Sequence, residues 1–541
     1  MQDSADFLVV GGGTAGCALA ARLSEDPSVT VCLLEAGGDG RDWAVDMPGG
    51  VSLAQRREAI NWRFSTEPQA QLDGRRIALP RGRGLGGSAL INGMVYFRGH
   101  PRDYDDWAAA GATGWSFAEV LPYFLRSEDN ADFGPDVWHA KGGPMHVRTV
   151  THPNPLNQVF FEAMASLGHG ACRDFNGADS EGTGLRQLSV RAGRRETTAR
   201  AMLRPALGRP NLRVVTGVRA TRVLLQAGRA VGLEGLHDGQ RREWRAGREV
   251  VLCAGALQSP QLLLLSGIGD PLHLADVGIP VQHALRGVGR NLHDHLASPV
   301  HMGTRDTTPY GLSWRALPRG LWTVLQYALA RRGPLANNFF EAAAFVKTDA
   351  GLDRPDLQFV FQAARRPPPG FAFPVGHGYA ISPVGLYPRS RGRLLLASAD
   401  PLAAPRVDPA LLSDPADLAP LLHGLRLARR VFAAPAFARF GATEVSPGPG
   451  VQDDAALTAY IRAASYTVHH PVSTCRMGVD DEAVVDARLR VHGLAGLRVA
   501  DASVFPSIIG GNTNAAVVMV AEKAADLLLD RTPPPPARIP A

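Results

Sequence analysis

The chain has 541 residues, 45% of them hydrophobic and 20% charged, which is enough for two to four globular domains. Its formal charge is +6, but the basic residues are interleaved with acids, which excludes the one-sided basic surface of a nucleic-acid-binding protein. Five widely spaced cysteines, no run of about 18 apolar residues and an N-terminus without a basic leader predict a cytoplasmic protein without disulfides or a transmembrane segment; peripheral attachment to the inner membrane is left open.

The first predicted elements are a strand, a glycine-rich turn, a helix and a second strand, in the segments DFLVV, GGGTAG, CALAARLSED and VTVCLLEAGG. Gly11, Gly13 and Gly16 form the pattern G-x-G-x-x-G at the turn, and Glu35 closes the second strand. Such glycines allow a pyrophosphate to approach the helix N-terminus, and the acid accepts hydrogen bonds from ribose hydroxyls. The pattern predicts a dinucleotide site but does not distinguish FAD from NAD.

Later segments repeat the same kinds of element. An alternating meander spans residues 211–236, and a strand, a turn and a helix follow up to residue 269. Residues 298–460 are less regular and rich in Pro and Arg, with one alternating strand, LQFVFQA. The last part is a strand, a loop and a long amphipathic helix. Because elements of a nucleotide-binding fold occur early, in the middle and near the end, we predict one discontinuous α/β domain with a second portion inserted into it.

Two histidine pairs raise the question of a metal site. His469 and His470 are adjacent in SYTVHHPVSTCRMG, and His293 and His295 flank Asp294 in HDH. Adjacent histidine side chains diverge, and no further ligand stands at a recognisable spacing from either segment. We therefore predict no metal site. A thiol nucleophile paired with a base, a single working histidine and a hydrogen-bonded core histidine remain as interpretations of the first segment.

Four longer stretches resemble one known family. They are PRGRGLGGSALINGMVYFRGHPRDYDDW (80–107), GALQSPQLLLLSGIG (255–269), HPVSTCRMG (470–478) and VADASVFPSIIGGNTNAAVVMVAEKAADLL (499–528). Together they resemble the glucose-methanol-choline (GMC) oxidoreductases, most closely the choline-dehydrogenase-like branch. The resemblance implies a Rossmann-type FAD-binding domain beside a substrate domain built on an antiparallel sheet packed by helices. It also implies oxidation of a primary alcohol to the aldehyde.

The resemblance also implies a division of the chain. Residues 1–155, 190–297 and 464–530 are expected to form the FAD-binding domain. Residues 156–189 and 298–463 are expected to form the substrate domain, and residues 531–541 a disordered tail. The expected cofactor-binding residues come from all parts of the first domain: Gly11, Gly13, Thr14, Ala15, Gly16, Glu35, Ala36, Arg83, Gly87, Ser88, Asn92, Gly93, Met94, Val95, Val218, Asp501, Ala502, Asn512 and Thr513.

In this family the histidine directly before the proline is the general base, and here that residue is His470. A neutral imidazole can take the hydroxyl proton of an alcohol while a hydride leaves its carbon for flavin N5. The matching partner at the turn before the last long helix is Asn512, with Asn514 as a rival. Val468, His469 and Glu341 are tentative substrate contacts. The family assigns no chemistry to the thiol of this segment, so Cys475 is expected to be a small buried hydrophobic residue.

Some relatives attach FAD covalently through a histidine at the position of Ile91, which has no nucleophile, so we predict non-covalent FAD. Reduced FAD is expected to pass electrons to a quinone, a dye or oxygen. The alternatives are an alcohol oxidase that forms H₂O₂ from aryl or furfuryl alcohols, a hydroxynitrile lyase and a fatty-acid photodecarboxylase on the same fold. The photodecarboxylase relatives depend on a cysteine in the substrate half, and no cysteine lies between Cys253 and Cys475. The alcohol, the acceptor and the oligomeric state stay open.

Overall fold

The computed structural model describes residues 3–365 and 371–540, and two large sheets organise them. In chain order the strands of these sheets are β1 (Ser4–Val10), β2 (Val31–Glu35), β3 (Gly182–Leu185), β4 (Leu212–Thr216), β5 (Val218–Gln226), β6 (Arg229–His237), β7 (Gln240–Leu252), β8 (Leu296–Ala297), β9 (Val300–Thr304), β10 (Ala342–Val346), β11 (Leu357–Gln362), β12 (His377–Gly385), β13 (Thr443–Ser446), β14 (Tyr466–Thr467) and β15 (Leu497–Val499).

The first sheet has the strand order β4-β2-β1-β7-β6-β5, and β15 pairs with β7. Strands β4, β2, β1, β7 and β15 are parallel, whereas β5, β6 and β7 form an antiparallel meander. The residues of β2 are all buried, as the continuous apolar run VCLLE requires in a parallel sheet that is covered on both faces. The carboxyl ends of β1, β2 and β15 therefore meet at one edge, the usual ligand-binding position in such sheets.

The second sheet is antiparallel and has the order β13-β9-β12-β11-β10-β3, with β8 pairing to both β12 and β14. Smaller sheets flank the two large ones. Their strands are Phe64–Ser65 with Ala78–Leu79, Val190–Arg191 with Arg194–Arg195, Ile268–Gly269 with His283–Ala284, Arg393–Leu395 with Arg406–Asp408, and Glu128–Asn130 with Met145–Thr149 and Gln187–Leu188.

The helices are α1 (Thr14–Leu23), α2 (Trp43–Asp46), α3 (Val51–Arg56), α4 (Pro101–Ala109), α5 (Phe117–Ser127), α6 (Leu156–Ser166), α7 (Arg204–Ala206), α8 (Gly255–Leu265), α9 (Pro271–Asp276), α10 (Leu317–Ala330), α11 (Leu418–Ala433), α12 (Pro435–Ala438), α13 (Asp454–Ala464) and α14 (Asn514–Leu528). Two of them begin side by side: the Thr14 hydroxyl donates to Asn514 Oδ1 over 2.8 Å. Further along, Arg22 of α1 pairs with Glu522 of α14 at 2.9 Å.

Each large sheet has its own hydrophobic core. The first core packs β1, β2 and β7 against α1, α5, α8 and α14, and the second packs β10, β11 and β12 against α6, α11 and α13. The α/β class with an antiparallel second sheet is thus confirmed. The strands of the first sheet come from three separate parts of the chain, but the exact domain boundaries stay a prediction, since β8 and β14 join the second sheet close to them.

The C-terminal tail contacts the rest of the molecule. Residues 532–540 form neither helix nor strand, yet Ala537 N donates to Ala118 O over 2.7 Å and Ile539 packs against the first core. The structure therefore differs from the predicted disorder at these contacts. In the described ranges, no helix is both long and apolar enough to cross a bilayer. The cytoplasmic location stays a prediction.

Candidate active site

A cavity of about 440 Å³ runs from the glycine turn before α1 to the turn before α14. Its walls come from both sheets: Val10 and Glu35 end strands of the first sheet, and Gln358 and Val360 lie on β11 of the second. The cavity thus lies at the edge where the parallel strands end, as the G-x-G-x-x-G pattern predicts.

At one end of the cavity, backbone amides hold Glu35. Its Oε2 accepts from Gly12 N at 2.7 Å, and its Oε1 accepts from Gly37 N at 2.7 Å and from Gly84 N at 2.9 Å. Burial raises the pKa of this carboxyl, and the three amides oppose that rise. Gly16 is required by close packing, because a Cβ there would lie 1.9 Å from Gly11 O.

The middle of the cavity is bounded by two loops. The first carries Asn92, whose Oδ1 accepts from Met94 N at 3.0 Å and from Arg195 Nη1 at 2.8 Å. The second begins at Asp501, which accepts from Gly255 N and Ser259 Oγ at the start of α8. A Cβ on Gly93 would meet its nearest neighbour only at 3.7 Å, and one on Gly255 would meet nothing within 4 Å. The cavity therefore borders main-chain atoms that no side chain covers at Gly93 and at Gly255.

Most of the predicted cofactor residues line this one cavity. They are Gly11, Gly13, Thr14, Ala15, Glu35, Ala36, Gly87, Ser88, Asn92, Gly93, Met94, Val95, Val218, Asp501, Ala502, Asn512 and Thr513. Two of the predicted residues are not among the cavity walls. Gly16 packs on Gly11, as described above, and Arg83 lies 5.3 Å from the centre of the Trp62 ring.

At the other end of the cavity, pairing between two distant segments positions His470. Leu296 of β8 pairs with Thr467 of β14, and His293 and Val472 exchange backbone hydrogen bonds of 3.3 and 3.1 Å. The register brings His470 N within 2.7 Å of Asp294 Oδ1, which also accepts from His295 N at 2.9 Å. The HDH segment therefore holds the HHP segment in place, and His470 lines the cavity.

A chain of hydrogen bonds fixes the tautomer of His470. Leu386 O accepts at 2.9 Å from His295 Nε2, because a carbonyl oxygen can only accept. Neutral His295 then has its lone pair on Nδ1, which lies 3.0 Å from His470 Nδ1. The proton between these two atoms consequently belongs to His470. The lone pair of neutral His470 is left on Nε2, which faces the cavity and Asn512.

Burial keeps both imidazoles neutral. It lowers the pKa of His295 to about 4, and it lowers the pKa of His470 well below 6.5, helped by the nearby His295, His469 and the arginines 81 and 186. His470 Nε2 is therefore an unprotonated base at neutral pH. This is the protonation state that removal of a hydroxyl proton requires.

The structure distinguishes the two candidate asparagines. Asn512 Nδ2 lies 3.1 Å from His470 Nε2, while Asn512 Oδ1 is enclosed and has no hydrogen-bond partner among the described residues. Asn514 instead accepts from Thr14 at the start of α14. Asn512 is thus the residue beside His470.

Of the three tentative substrate contacts, two line the cavity and one does not. Val468 and His469 line the cavity, and burial lowers the pKa of His469 to about 3, so its ring is neutral. Glu341 does not line it. Its carboxylate accepts from Asn154 N, Asn157 Nδ2 and Tyr310 Oη inside the second domain. We therefore correct the prediction that Glu341 faces the substrate, since three internal donors already hold its oxygens.

Several residues at this end were missed by the sequence analysis. His295 was considered only as part of a possible metal-binding pair, Arg81 lies in the family-like stretch 80–107 without an assigned role, and Arg186 and Gln358 carried no functional signal. Pairing between the HDH and HHP segments brings His295 to His470, and no local sequence pattern predicts that pairing. In the described part of the chain, no group of His, Cys, Asp and Glu side chains is arranged to hold a metal. Cys475 is buried, and all five cysteines are free.

Comparison with known proteins places the chain in a family. Residues 5–297 and 388–521 match the N- and C-terminal models of GMC oxidoreductases. It belongs to the GMC oxidoreductases. This GMC oxidoreductase is 40% identical to an alcohol dehydrogenase [acceptor] of Pseudomonas putida over 97% of its own length and 95% of that protein. It is 41% identical to an oxygen-dependent choline dehydrogenase of Rhizobium johnstonii over 98% and 96%.

Solved GMC structures agree with this assignment. The pyridoxine 4-oxidase from Mesorbium loti superposes with a TM-score of 0.87 at 34% identity, covering 96% of this chain and 98% of that one. A fungal aryl-alcohol oxidase gives 0.84 at 25% identity, covering 98% and 99%. The GMC oxidoreductase described here is an FAD-dependent alcohol oxidoreductase.

The cavity of this GMC oxidoreductase fits FAD. Glu35 uses three of about four acceptor positions on its carboxylate, which leaves one for a ribose hydroxyl at that end. The open backbone at Gly93 and Gly255 leaves space for a flat ring and its chain. The enclosed, unpartnered Asn512 Oδ1 marks the place where a further polar group is missing.

Proposed function

We propose that this enzyme oxidises a primary alcohol to its aldehyde, with His470 as the general base and Asn512 as its partner. The observation that carries the proposal is the unprotonated Nε2 of His470, which the His295 contact and the Leu386 carbonyl direct into the cavity beside Asn512. Bound FAD supplies the acceptor for the hydride that leaves the alcohol carbon.

His470 and Asn512 have different roles at the hydroxyl group of the substrate. His470 Nε2 and Asn512 Nδ2 lie 3.1 Å apart. An alcohol hydroxyl placed between them donates its proton to His470 Nε2, and its oxygen accepts a hydrogen bond from Asn512 Nδ2. As the proton moves, the amide stabilises the developing negative charge on oxygen. The cation that forms on His470 has its Nδ1–H already bonded to His295, so the ring does not need to reorient.

The surroundings of the site support non-covalent cofactor binding. Ile91 lines the cavity at the position where some relatives carry a histidine that attaches FAD, and its side chain has no nucleophilic atom. The cofactor would instead be held by the backbone of residues 92–95, by Glu35 and by the glycine turn. Denaturation in acid should therefore release all the flavin into the supernatant.

The test of this function is an anaerobic panel of alcohols. Purified holoenzyme is mixed with benzyl alcohol, 5-hydroxymethylfurfural, aliphatic primary alcohols and choline, and flavin absorbance is followed. At least one primary alcohol is expected to bleach the flavin and give its aldehyde. Admitting air and measuring peroxide, or adding a quinone or dye, then identifies the electron acceptor. Turnover of a substrate with the flavin still oxidised would contradict the proposal and favour a lyase.

A further inference from the structure

The cavity wall next to His470 contains a buried arginine without a partner. Arg186 is 4% exposed, lines the cavity, and lies close enough to His470 to lower its pKa. Nε and Nη2 of Arg186 are enclosed without a hydrogen-bond partner, and no described residue forms an ion pair with the guanidinium. Burial alone lowers the pKa of Arg186 to about 10, so the group is still cationic at pH 7.

Other buried arginines of this protein are compensated. Arg98, 1% exposed, pairs with Glu128 at 2.7 Å. Arg195, also 1% exposed, donates to the backbone carbonyls of Val45, Ala89 and Asn92. An enclosed charge without either kind of partner is costly, so such a group normally has a ligand or a counter-ion to meet it. Arg186 stands out because it has neither.

The charges around Arg186 leave this partnership to a ligand. The acidic residues that line the cavity are Glu35 and Asp501, and both carboxylates already accept from backbone amides. Two further arginines line the wall: Arg219 donates to the carbonyl of Pro401, and Arg81 donates to the carbonyls of Pro80 and His469. Asp294, which accepts from His470 N, is the acid that acts on Arg81, so Arg186 is the cation at this end without an acidic partner among the described residues.

The position of Arg186 assigns it to the substrate rather than to the cofactor. Its backbone N–H donates to Glu341 O at 2.9 Å, directly after the point where β3 pairs with β10 of the second sheet. The anionic part of FAD is its pyrophosphate, which belongs at the glycine turn of α1 at the opposite end of the cavity. The oxidised cofactor, to which the substrate binds, therefore has no negative group for Arg186.

We propose that Arg186 is a specificity-determining residue that binds a carboxylate on the alcohol substrate, so that the enzyme prefers hydroxymethyl compounds with an acid group. The inference rests on the proposed alcohol oxidation. The planar fork of a guanidinium matches the two oxygens of a carboxylate, and binding replaces an uncompensated buried charge by a charge-assisted pair. The carboxylate anchors the substrate while its hydroxyl reaches His470 and Asn512.

The experiment compares two substrates that differ only in charge, 4-(hydroxymethyl)benzoate and 4-(hydroxymethyl)benzamide, by anaerobic flavin reduction. The wild-type holoenzyme is expected to favour the benzoate in kcat/KM by about 10- to 100-fold, the range for hydrogen bonds to a charged group. In Arg186→Met and Arg186→Gln this ratio is expected to fall to about one or below. Arg186→Lys should keep part of it. Arg242→Met removes the same charge from the exposed β7 strand and should leave the ratio unchanged.

Binding without turnover gives a second measurement. Benzoate should perturb the flavin spectrum of the wild type at lower concentration than benzamide, and Arg186→Met should remove that difference while retaining its FAD. A wild-type ratio below one, or an unchanged ratio in Arg186→Met, would overturn the carboxylate site. So would loss of FAD from every Arg186 variant, which would assign the residue to the cofactor. If benzyl alcohol bleaches the wild-type flavin while the benzoate preference is missing, only the carboxylate site fails. If no alcohol bleaches it, the proposed function fails.

A second, independent observation concerns helix α10. Its half-buried residues are the polar Thr323, Gln326 and Tyr327, and Tyr327 Oη donates to Gly193 O at 3.2 Å. Its apolar residues face outward, and none of its residues is buried. The exposed set, with Trp314 just before the helix, is Trp314, Leu317, Leu321, Trp322, Val324, Leu325 and Leu329. This reverses the ordinary orientation of an amphipathic helix.

The charged residues within the segment that carries this face are all of one sign. Residues 307–340 contain Arg315, Arg319, Arg331 and Arg332 and no Asp or Glu. Outward tryptophan and leucine flanked by arginines are the features of a helix that lies in a membrane interface, where anionic lipid complements the positive charge. We also infer that α10 docks the enzyme onto an anionic lipid surface.

Vesicle co-sedimentation of the holoenzyme tests this inference. Phosphatidylcholine vesicles that contain phosphatidylglycerol should bind the wild type more strongly than pure phosphatidylcholine, and Trp322→Glu or Leu325→Glu should lower the bound fraction by about tenfold. Leu272→Glu, at a single exposed leucine of α9, should have no effect. Equal loss in the Leu272 control, or no binding of the wild type, would overturn the inference. So would a concentration-dependent dimer that Trp322→Glu dissociates, because a second copy would then cover the face.

Discussion

The two ends of the cavity differ in how the protein treats its polar groups. At the glycine-turn end, Glu35 is a buried acid whose oxygens accept from the backbone amides of Gly12, Gly37 and Gly84. At the histidine end, Asn512 Oδ1 and the Nε and Nη2 atoms of Arg186 are enclosed but have no hydrogen-bond partner among the described residues. The first end is complete before a ligand arrives, and the second is complete only when one is bound.

This difference indicates which end of the cavity determines substrate specificity. At the glycine-turn end, the protein's own amides already satisfy the buried acid, and this end suits the cofactor, which is the same in every turnover. Its glycine turn and close helix packing serve the fold as well as the ligand. An end with unpaired groups lowers the stability of the empty protein and returns that free energy on binding. We therefore expect substitutions at the histidine end to change chemistry and substrate choice, and substitutions at the glycine end to change cofactor retention.

The largest expected effect is at His470. Replacing it by Ala removes the base positioned beside Asn512, so flavin reduction by the best alcohol should slow by about 10² to 10⁴-fold while FAD stays bound. Anaerobic stopped-flow absorbance measures the rate, and the flavin-to-protein absorbance ratio measures retention. An unchanged rate would remove His470 from the reaction.

The next effect separates the two asparagines. Asn512→Ala should slow flavin reduction by about 10²-fold, because it removes the donor that stabilises the alcohol oxygen. Asn514→Ala is the matched control two residues away, and it should change the rate by only a few-fold, since Asn514 contacts Thr14 and not His470. Equal losses in the two variants would instead indicate damage to the start of α14.

A smaller effect is expected at His295, which acts through His470. His295→Leu removes the acceptor of the His470 Nδ1 proton and frees the ring to adopt the other tautomer, so flavin reduction should slow by about tenfold. In His295→Gln a side-chain oxygen can accept the same proton, and this variant should recover most of the rate. If both variants lose the rate equally, His295 serves packing and not the tautomer.

The smallest effect is expected at the glycine-turn end. Glu35→Gln keeps the shape of the side chain but places an amide group against donors at Gly12, Gly37 and Gly84. FAD should then dissociate about fivefold more readily, with little change in the reduction rate of the molecules that keep it. Reconstitution titrations measure the FAD affinity. A large loss of the reduction rate in the fully loaded variant would contradict the assignment of different roles to the two ends of the cavity.

The same distinction explains how far the sequence could be interpreted. The glycine turn, Glu35 and α1 are consecutive, so local rules predicted their place and chemistry. The HHP and GGNTN segments were assigned through family resemblance, and the structure brings them together. Arg186 and His295 take their positions from strand pairs between segments more than a hundred residues apart, whereas Gln358 lies on β11 between its chain neighbours β10 and β12. No local pattern predicts which face such side chains present. Glu341 shows the opposite case, since it directly precedes β10 and its carboxylate accepts from Asn157 and Tyr310 rather than facing the cavity.

The central claim is that His470 is a neutral base at its Nε2 atom, and the pH dependence of flavin reduction tests it most directly. Because burial holds the pKa of His470 well below 6.5, the imidazole is unprotonated at neutral pH and the rate is lost only as the pH falls through that lowered value. The anaerobic reduction rate with a neutral alcohol should therefore stay level from pH 8 down to about 6.5 and decline below it. A decline that begins above pH 7 would contradict the account, because it would mean that the histidine is cationic in the working enzyme.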